Sequence, residues 1–219
     1  MEPRLNYAAQ KAAEALIQFN VSFAPVSPLP ILSEIPGVLV VPFAEMAARL
    51  QMDRESVVSA YGAWNQDAFT HVRDGDGRIR YLVTYNQRLP LYMQQRALAR
   101  ELGHILLGHD GSRPESVRQE EALVFARHFI CPRPLIRALQ DAGLTITAEM
   151  LGNVTGCYER CLAAIRKTPG VRVPPELNRA VKAQFSAYVQ NFLDCQSLLL
   201  SGDESAPADF GTYMDGYDE

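Results

Sequence analysis

Apolar residues recur at helical spacing along most of this chain. In residues 4–19 they return every three or four positions, which is typical of an amphipathic helix. With prolines and glycines taken as boundaries, the same reasoning predicts further helices over 43–62, 90–108, 114–130, 132–142, 147–167 and 174–200. The protein is therefore expected to be mainly helical.

Short β-type runs interrupt these helices. Val38–Val41 follows a proline-rich stretch and indicates a buried strand. Ala68–Val72 and Arg78–Tyr85 flank the turn sequence Asp74–Gly77, and this arrangement predicts a β-hairpin. Together the patterns predict an α+β fold with a small sheet.

Composition limits the size and the partners of the fold. The chain has 219 residues, 47% of them hydrophobic, which is enough for one main core. Residues 201–219 lack periodicity and are expected to form a disordered acidic tail. The rest of the chain is near neutral, with no clear basic excess or stripe, so nucleic acid is not the expected partner.

In the N-terminal segment, the charged residues Glu2, Lys11 and Glu14 interrupt the apolar positions. A signal peptide would have an uninterrupted apolar stretch there. No later segment approaches the ~20 apolar residues that span a bilayer. We therefore expect a cytoplasmic protein with no membrane partner and with reduced cysteines. Cys157 and Cys161 lie four positions apart, but without a second pair they indicate core packing rather than a metal site.

The predicted helix over 90–108 carries the segment that points to chemistry. Glu101 and His104 stand where an HExxH helix has its glutamate and its second histidine, and Arg100 stands at the position of the first histidine. In such a helix two histidines four residues apart bind zinc on one face, while the glutamate acts on the metal-bound water. A second helix follows with Glu121 in an E-A-x-x-F-A sequence and a proline after it.

This combination resembles the ImmA/IrrE metallopeptidase family in its motifs over residues 79–135 and in its order of helix, hairpin and helix pair over about 5–170. The resemblance implies a zincin-like domain over 1–170, in which the small sheet packs on the HExxH-like helix, and a helical extension over 171–200. It also implies that Glu101 is the catalytic general base and that His104 and Glu121 are zinc ligands.

Arg100 changes what the resemblance implies for zinc. A guanidinium stays protonated and has no lone pair to offer a metal. The remaining ligands, His104 and Glu121, are too few for a catalytic zinc, which takes three protein ligands. We therefore expect little or no bound zinc, and we expect Arg100 to form an ion pair with Glu121 or Glu101.

Three other histidines, His109, His128 and His71, are candidates to replace the missing ligand. On a continuous helix His109 would lie roughly 140° around from His104, on the wrong face. His128 would lie about 10 Å along the axis from Glu121, and His71 would need a fold-back of the chain. None is expected to complete the site.

The resemblance also implies a protein partner, because ImmA/IrrE proteins are associated with cleavage of a helix-turn-helix repressor, often in mobile elements. Zincins bind a substrate backbone along an edge strand, and Arg78–Tyr85, with Arg80, Leu82 and Thr84, is the predicted partner strand. The favoured hypothesis is a pseudopeptidase that binds such a partner. An active zinc endopeptidase with a rearranged ligand set is the alternative.

A third hypothesis concerns Met46–Val58, which faintly resembles a helix-turn-helix and would make the chain a DNA-binding protein. The segment has Gln51 where the usual turn glycine would stand. The near-neutral composition also argues against this hypothesis.

Overall fold

The computed structural model describes residues 2–61, 67–72, 79–110, 112–156 and 170–201. The helices of this part are α1 Leu5–Gln18, α2 Pro28–Glu34, α3 Phe43–Leu50, α4 Arg54–Tyr61, α5 Leu91–Leu106, α6 Glu115–Ile130, α7 Arg133–Asp141, α8 Ala148–Thr155, α9 Pro175–Gln184 and α10 Ser186–Ser201. The strands are β1 Val38–Pro42, β2 Ala68–Val72 and β3 Tyr81–Tyr85. The mainly helical α+β fold is confirmed.

The three strands form one mixed sheet in the order β1-β3-β2. β2 and β3 pair in antiparallel fashion, with Thr70 opposite Val83, so the predicted pairing of these two strands is confirmed. The turn Asp74–Gly77 lies outside the described residues. β1 pairs with the other side of β3 in parallel, with Val40 opposite Val83.

The prediction that Arg78–Tyr85 is an edge strand is wrong. β3 is the central strand, so β1 and β2 occupy the backbone on both of its sides, and Arg80, Leu82 and Thr84 cannot serve as a partner strand by backbone pairing. The hairpin turn predicts β2 as one neighbour of β3 but gives no indication of its other neighbour, β1. Parallel pairing with β1 joins segments about forty residues apart, and local alternation carries no signal of it.

Close packing of α1, α5 and α6 forms the centre of the core. The buried face of α1 consists mostly of alanines, which let this helix approach α6 closely. Gly103 does the same for α5, because a Cβ atom at this position would lie 2.9 Å from Cδ1 of Phe125 on α6. These approaches bring the chemistry-bearing faces of α5 and α6 together.

Two predicted helices are interrupted. The run 43–62 divides into α3 and α4 at Gln51, which adopts the left-handed conformation with φ 54°. The run 174–200 divides at Phe185 into α9 and α10, and Val181 and Val189 from these helices join the same core cluster as α5 and α6. In the part of the chain that the structure describes, no helix is long and apolar enough to cross a membrane. The predicted tail lies almost wholly outside that part.

Candidate functional site at the α5–α6 junction

The C-terminal end of α5 turns the chain back on itself. α5 ends at Leu106, and Gly108 adopts a left-handed conformation with φ 66°. The backbone N–H of Gly108 donates to the Ile105 carbonyl at 3.1 Å, and that of His109 donates to the His104 carbonyl at 3.0 Å. These two bonds form a Schellman motif, which reverses the chain after a helix.

The expectation that His109 lies on the wrong face is therefore wrong. Its Nδ1 atom lies 2.8 Å from Nδ1 of His104, and both residues are buried. The expectation rested on a helix that continues through residue 109, whereas the helix ends three residues earlier. Gly108 was the signal in the sequence that could have predicted the reversal, because glycine favours the position after a helix end.

Glu121 extends from α6 to the other side of the His109 ring. Its side chain is fully buried, and Oε2 lies 3.1 Å from Nε2 of His109. An ionised carboxylate only accepts hydrogen bonds, so the Nε2–H of His109 donates to Glu121, and Nδ1 of His109 accepts from the Nδ1–H of His104. Burial, together with smaller contributions from His109, Arg100 and Arg118, lowers the pKa of His104 to about 3, so this ring is neutral.

Two arginines complete the surroundings of Glu121. The backbone N–H of Arg4 donates to Oε1 at 2.6 Å, and its guanidinium lies 3.3 Å from both carboxylate oxygens. Nη1 of Arg113 donates to Oε1 at 2.6 Å. Burial alone would raise the pKa of Glu121, but the hydrogen bonds from Arg4 and His109 lower it to about 2.

Sequence reasoning did not identify either arginine. Arg4 lies 117 positions from Glu121, and no local pattern can indicate a contact over that separation. Arg113 lies eight positions before Glu121, in the connection that leads into α6. Only the packing of α1 on α6 brings Arg4 to this site.

Arg100 pairs with the neighbouring glutamate. Its Nε atom donates to Oε1 of Glu101 at 3.2 Å, and its Nη2 atom donates to the Ala68 carbonyl of β2 at 3.2 Å. The Thr70 hydroxyl of β2 donates to Oε2 of Glu101 at 2.8 Å. Burial raises the pKa of Glu101, and the Arg100 charge opposes that shift. The predicted Arg100–Glu101 ion pair is confirmed, and Glu121 is paired with Arg4 and Arg113 instead.

This arrangement does not fit a zinc ion. Zinc needs lone pairs that converge on one point, whereas the His109 ring lies between His104 and Glu121 and directs one nitrogen to each. Both oxygens of Glu121 are engaged by arginines. Within the described residues, no group of three or more histidine, cysteine or carboxylate side chains is placed to hold a metal.

The other candidate residues lie elsewhere. His71 packs against Phe69, with ring centroids 4.6 Å apart, and strand alternation puts both on the opposite face of β2 from Thr70. His128 is buried, with 8% of its surface exposed, and lines a separate cleft. Cys157 and Cys161 lie outside the described residues.

The segment Met46–Val58 does form a helix, a turn and a helix. Its two arginines, Arg49 and Arg54, are balanced within the segment by Asp53 and Glu55, so it has no net positive charge to direct toward phosphates. The lack of positive charge gives no support to the DNA-binding hypothesis, which stays a prediction.

The sequence matches the model of one known protein family. The model of the IrrE N-terminal-like domain matches residues 45–156, a segment that includes α5, α6, Glu101, His104 and Glu121 but not Arg4. No curated protein and no solved structure matches the chain. The match extends over half of the sequence and agrees with the mainly helical fold, so the chain belongs to the ImmA/IrrE metallopeptidase family.

Proposed function

We propose that this protein is a pseudopeptidase that binds a repressor-like protein partner in the cytoplasm without cleaving it. The observation that carries the proposal is the pairing of Glu121 with two guanidinium groups where the family motif would have zinc. Arg100 contributes a third guanidinium next to Glu101. Arginine neutralises a buried carboxylate as a metal would, but it activates no water.

Charge supports the same conclusion. Three guanidiniums face two carboxylates, and the two histidines between them are neutral, so the site has a positive excess before any metal arrives. A divalent cation would meet repulsion from groups only a few ångströms away, in surroundings that screen charge poorly. Metal entry would therefore require the arginines to leave.

In a site without zinc, Glu101 has a structural role. Its carboxylate joins α5 to β2 through Thr70 and, with Arg100, through the Ala68 carbonyl. We infer that this contact holds β2 in place as a docking strand. Only β3 pairs with β2 within the described sheet, and Phe69 and Val72 of β2 are 38% and 44% exposed. The backbone N–H of Asn86 bonds to the Asp67 carbonyl, so by alternation the backbone groups of Thr70 and Val72 face away from β3. The Thr70 N–H bonds to the Glu101 carboxylate, and Val72 offers its backbone groups to a partner strand.

An active zinc endopeptidase remains the second candidate, and one observation favours it. His109 contacts both His104 and Glu121, so these three residues comprise the two histidines and the glutamate of a gluzincin-type ligand set. To act as ligands they would need a rotated His109 ring and a Glu121 released from Arg4 and Arg113. The bonds that both arginines make to Glu121 therefore favour the pseudopeptidase.

Elemental analysis of the purified, dialysed protein distinguishes the two candidates. We expect well under one zinc per chain, and no change in His104→Ala or His109→Ala. Stoichiometric zinc that is lost in both variants would establish the rearranged ligand set and contradict the pseudopeptidase.

The partner is tested separately. The helix-turn-helix protein encoded nearest to this gene should co-purify with the chain, and its intact mass should be unchanged. A Val72→Pro substitution on β2 should weaken the complex, whereas Leu91→Ser, which alters an exposed apolar residue outside the sheet, should not. A shortened partner would contradict the pseudopeptidase, and equal effects of the two substitutions would exclude β2 as the docking strand.

A further inference from the structure

A cleft of about 870 Å³ lies between α1 and α9, and neither Glu101, His104 nor Glu121 is among the described residues that line it. Its walls are α1, the first half of α7, the segment Val171–Pro174 and α9. The volume falls within the range of about 300–1,000 Å³ that is usual for pockets that bind small molecules. The matched family segment covers residues 45–156, so three of these four walls, all except α7, lie outside it.

Positive charge is concentrated in this cleft. Among the residues that the structure describes, five cationic side chains and no carboxylate line it; the five are Arg133, Arg137, Arg172, Arg179 and Lys182. Asp141, which lies outside the lining, bonds to Lys182 at 2.7 Å and lies 3.9 Å from Arg137. Arg172 and Arg179 are not among the described ion pairs of the cleft, which join Asp141 to Lys182 and Arg137. The whole chain has a net charge of −4, so the composition concealed this local excess.

The floor of the cleft is apolar except at one residue. Ala13, Leu16 and Val181 contribute to the floor, and His128 lies among them with 8% of its surface exposed. Within the part of the chain that the structure describes, the His128 ring has no hydrogen-bond partner. The ring nitrogens of His128 are not among the fully enclosed polar atoms that lack a partner, so a ligand in the cleft can reach them and form a hydrogen bond.

We propose that this cleft binds a small organic anion with at least two negative charges and an apolar body, as in a nucleoside polyphosphate. The guanidiniums of Arg172 and Arg179 receive the anionic groups, because arginine binds phosphate oxygens through paired hydrogen bonds. The apolar body covers the floor and bonds to His128. The proposal is independent of the zinc question, since none of these residues contacts Glu101, His104 or Glu121 in the described structure.

Isothermal titration of the full-length protein with ATP, without added metal, tests the proposal. We expect one site per chain with a Kd on the order of 10–100 μM, and a loss of about tenfold or more in Arg172→Ala and in Arg179→Ala. Arg88→Ala removes the same charge from an exposed position outside the cleft and should leave the affinity unchanged. Circular dichroism confirms that each variant is folded.

Two further titrations examine the two halves of the ligand. Pyrophosphate should bind at least about tenfold more weakly than ATP, because it has no apolar body to cover the floor. Equal affinity for the two would overturn the assignment of the floor. His128→Phe keeps the ring volume but removes the hydrogen bond, so it should weaken ATP binding and leave pyrophosphate binding nearly unchanged.

The acidic residues beyond Ser201 provide the competing explanation. In a full-length variant in which the six carboxylates of residues 202–219 are changed to amides, ATP affinity should stay close to that of the unaltered protein. Binding of ATP only after this change would assign the cleft to the chain's own tail and overturn the proposal. Absence of ATP binding in both proteins would overturn it as well.

Discussion

Arginines gather at two places in this molecule, and their surroundings differ. At the α5–α6 site, Arg4, Arg100 and Arg113 bond to the buried carboxylates of Glu121 and Glu101. In the cleft beside α9, Arg172 and Arg179 line a cavity to which no carboxylate of the described segments contributes. The same side chain therefore completes an internal ion pair in one region and remains accessible to a ligand in the other.

This difference in surroundings predicts which property of the protein each arginine cluster affects. Removal of one member of a buried pair leaves an uncompensated charge, which costs stability, whereas removal of an exposed arginine costs little. Arginines of the α5–α6 site should therefore affect the free energy of unfolding, and those of the cleft should affect binding. Arg4 is an intermediate case, because its side chain is 46% exposed.

The largest effect is expected from Glu121→Gln. The change leaves Arg4 and Arg113 without their carboxylate and should lower the free energy of unfolding by about 3 kcal/mol, as measured by urea denaturation. Glu120→Gln, the matched control, alters an exposed neighbour on the same helix and should cost less than about 0.5 kcal/mol. Equal effects of the two would mean that the Glu121 cluster contributes nothing to stability.

In the cleft, the buried ionisable group is His128, and a fall in pH should lower the stability that depends on it. Burial, together with smaller contributions from the Arg133 and Arg127 charges, lowers the pKa of His128 to about 4. The unfolded chain then binds a proton at a higher pH than the folded one, so this stability is present above pH 6.5 and is lost as the pH falls from 6.5 toward 4.

The His128 contribution can be isolated with His128→Gln. Between pH 7 and pH 4.5 the unaltered protein should lose about 2 kcal/mol more stability than the variant does. Parallel losses in the two proteins would show that His128 protonates in the folded state as readily as in the unfolded one.

A smaller effect is expected at Arg100, whose side chain is 16% exposed. Arg100→Ala removes the bonds to Glu101 and to the Ala68 carbonyl and should cost about 1–2 kcal/mol. Arg96→Ala, one turn earlier on the exposed face of α5, serves as the control. If the two variants are equally stable, Arg100 does not hold β2 on α5.

Local patterns predicted much of this site. The HExxH-like segment placed Glu101 and His104 on one helix, and the cost of an unpaired buried carboxylate predicted the ion pair of Arg100. The β2–β3 hairpin followed from alternation around a turn. Each of these inferences depends on residues close together in the chain.

Features that depend on chain reversal or on distant segments were missed. His109 contacts His104 because the chain reverses at Gly108, just after the end of α5. Arg4 contacts Glu121 because α1 packs on α6. The central position of β3 came from a parallel partner, and the basic cleft came from residues scattered between positions 133 and 182. Neither periodicity nor composition carries this information.

The central claim is that arginines take the place of the metal at the α5–α6 site. Zinc titration of Arg100→His, and of the same variant with Arg113→Ala added, tests it most directly. We expect negligible zinc binding by the unaltered protein, measurable binding by Arg100→His and at least about tenfold tighter binding by the double variant, because a third ligand is restored and Glu121 then loses one of its two arginine partners. Binding by the unaltered protein as tight as by both variants would contradict the account.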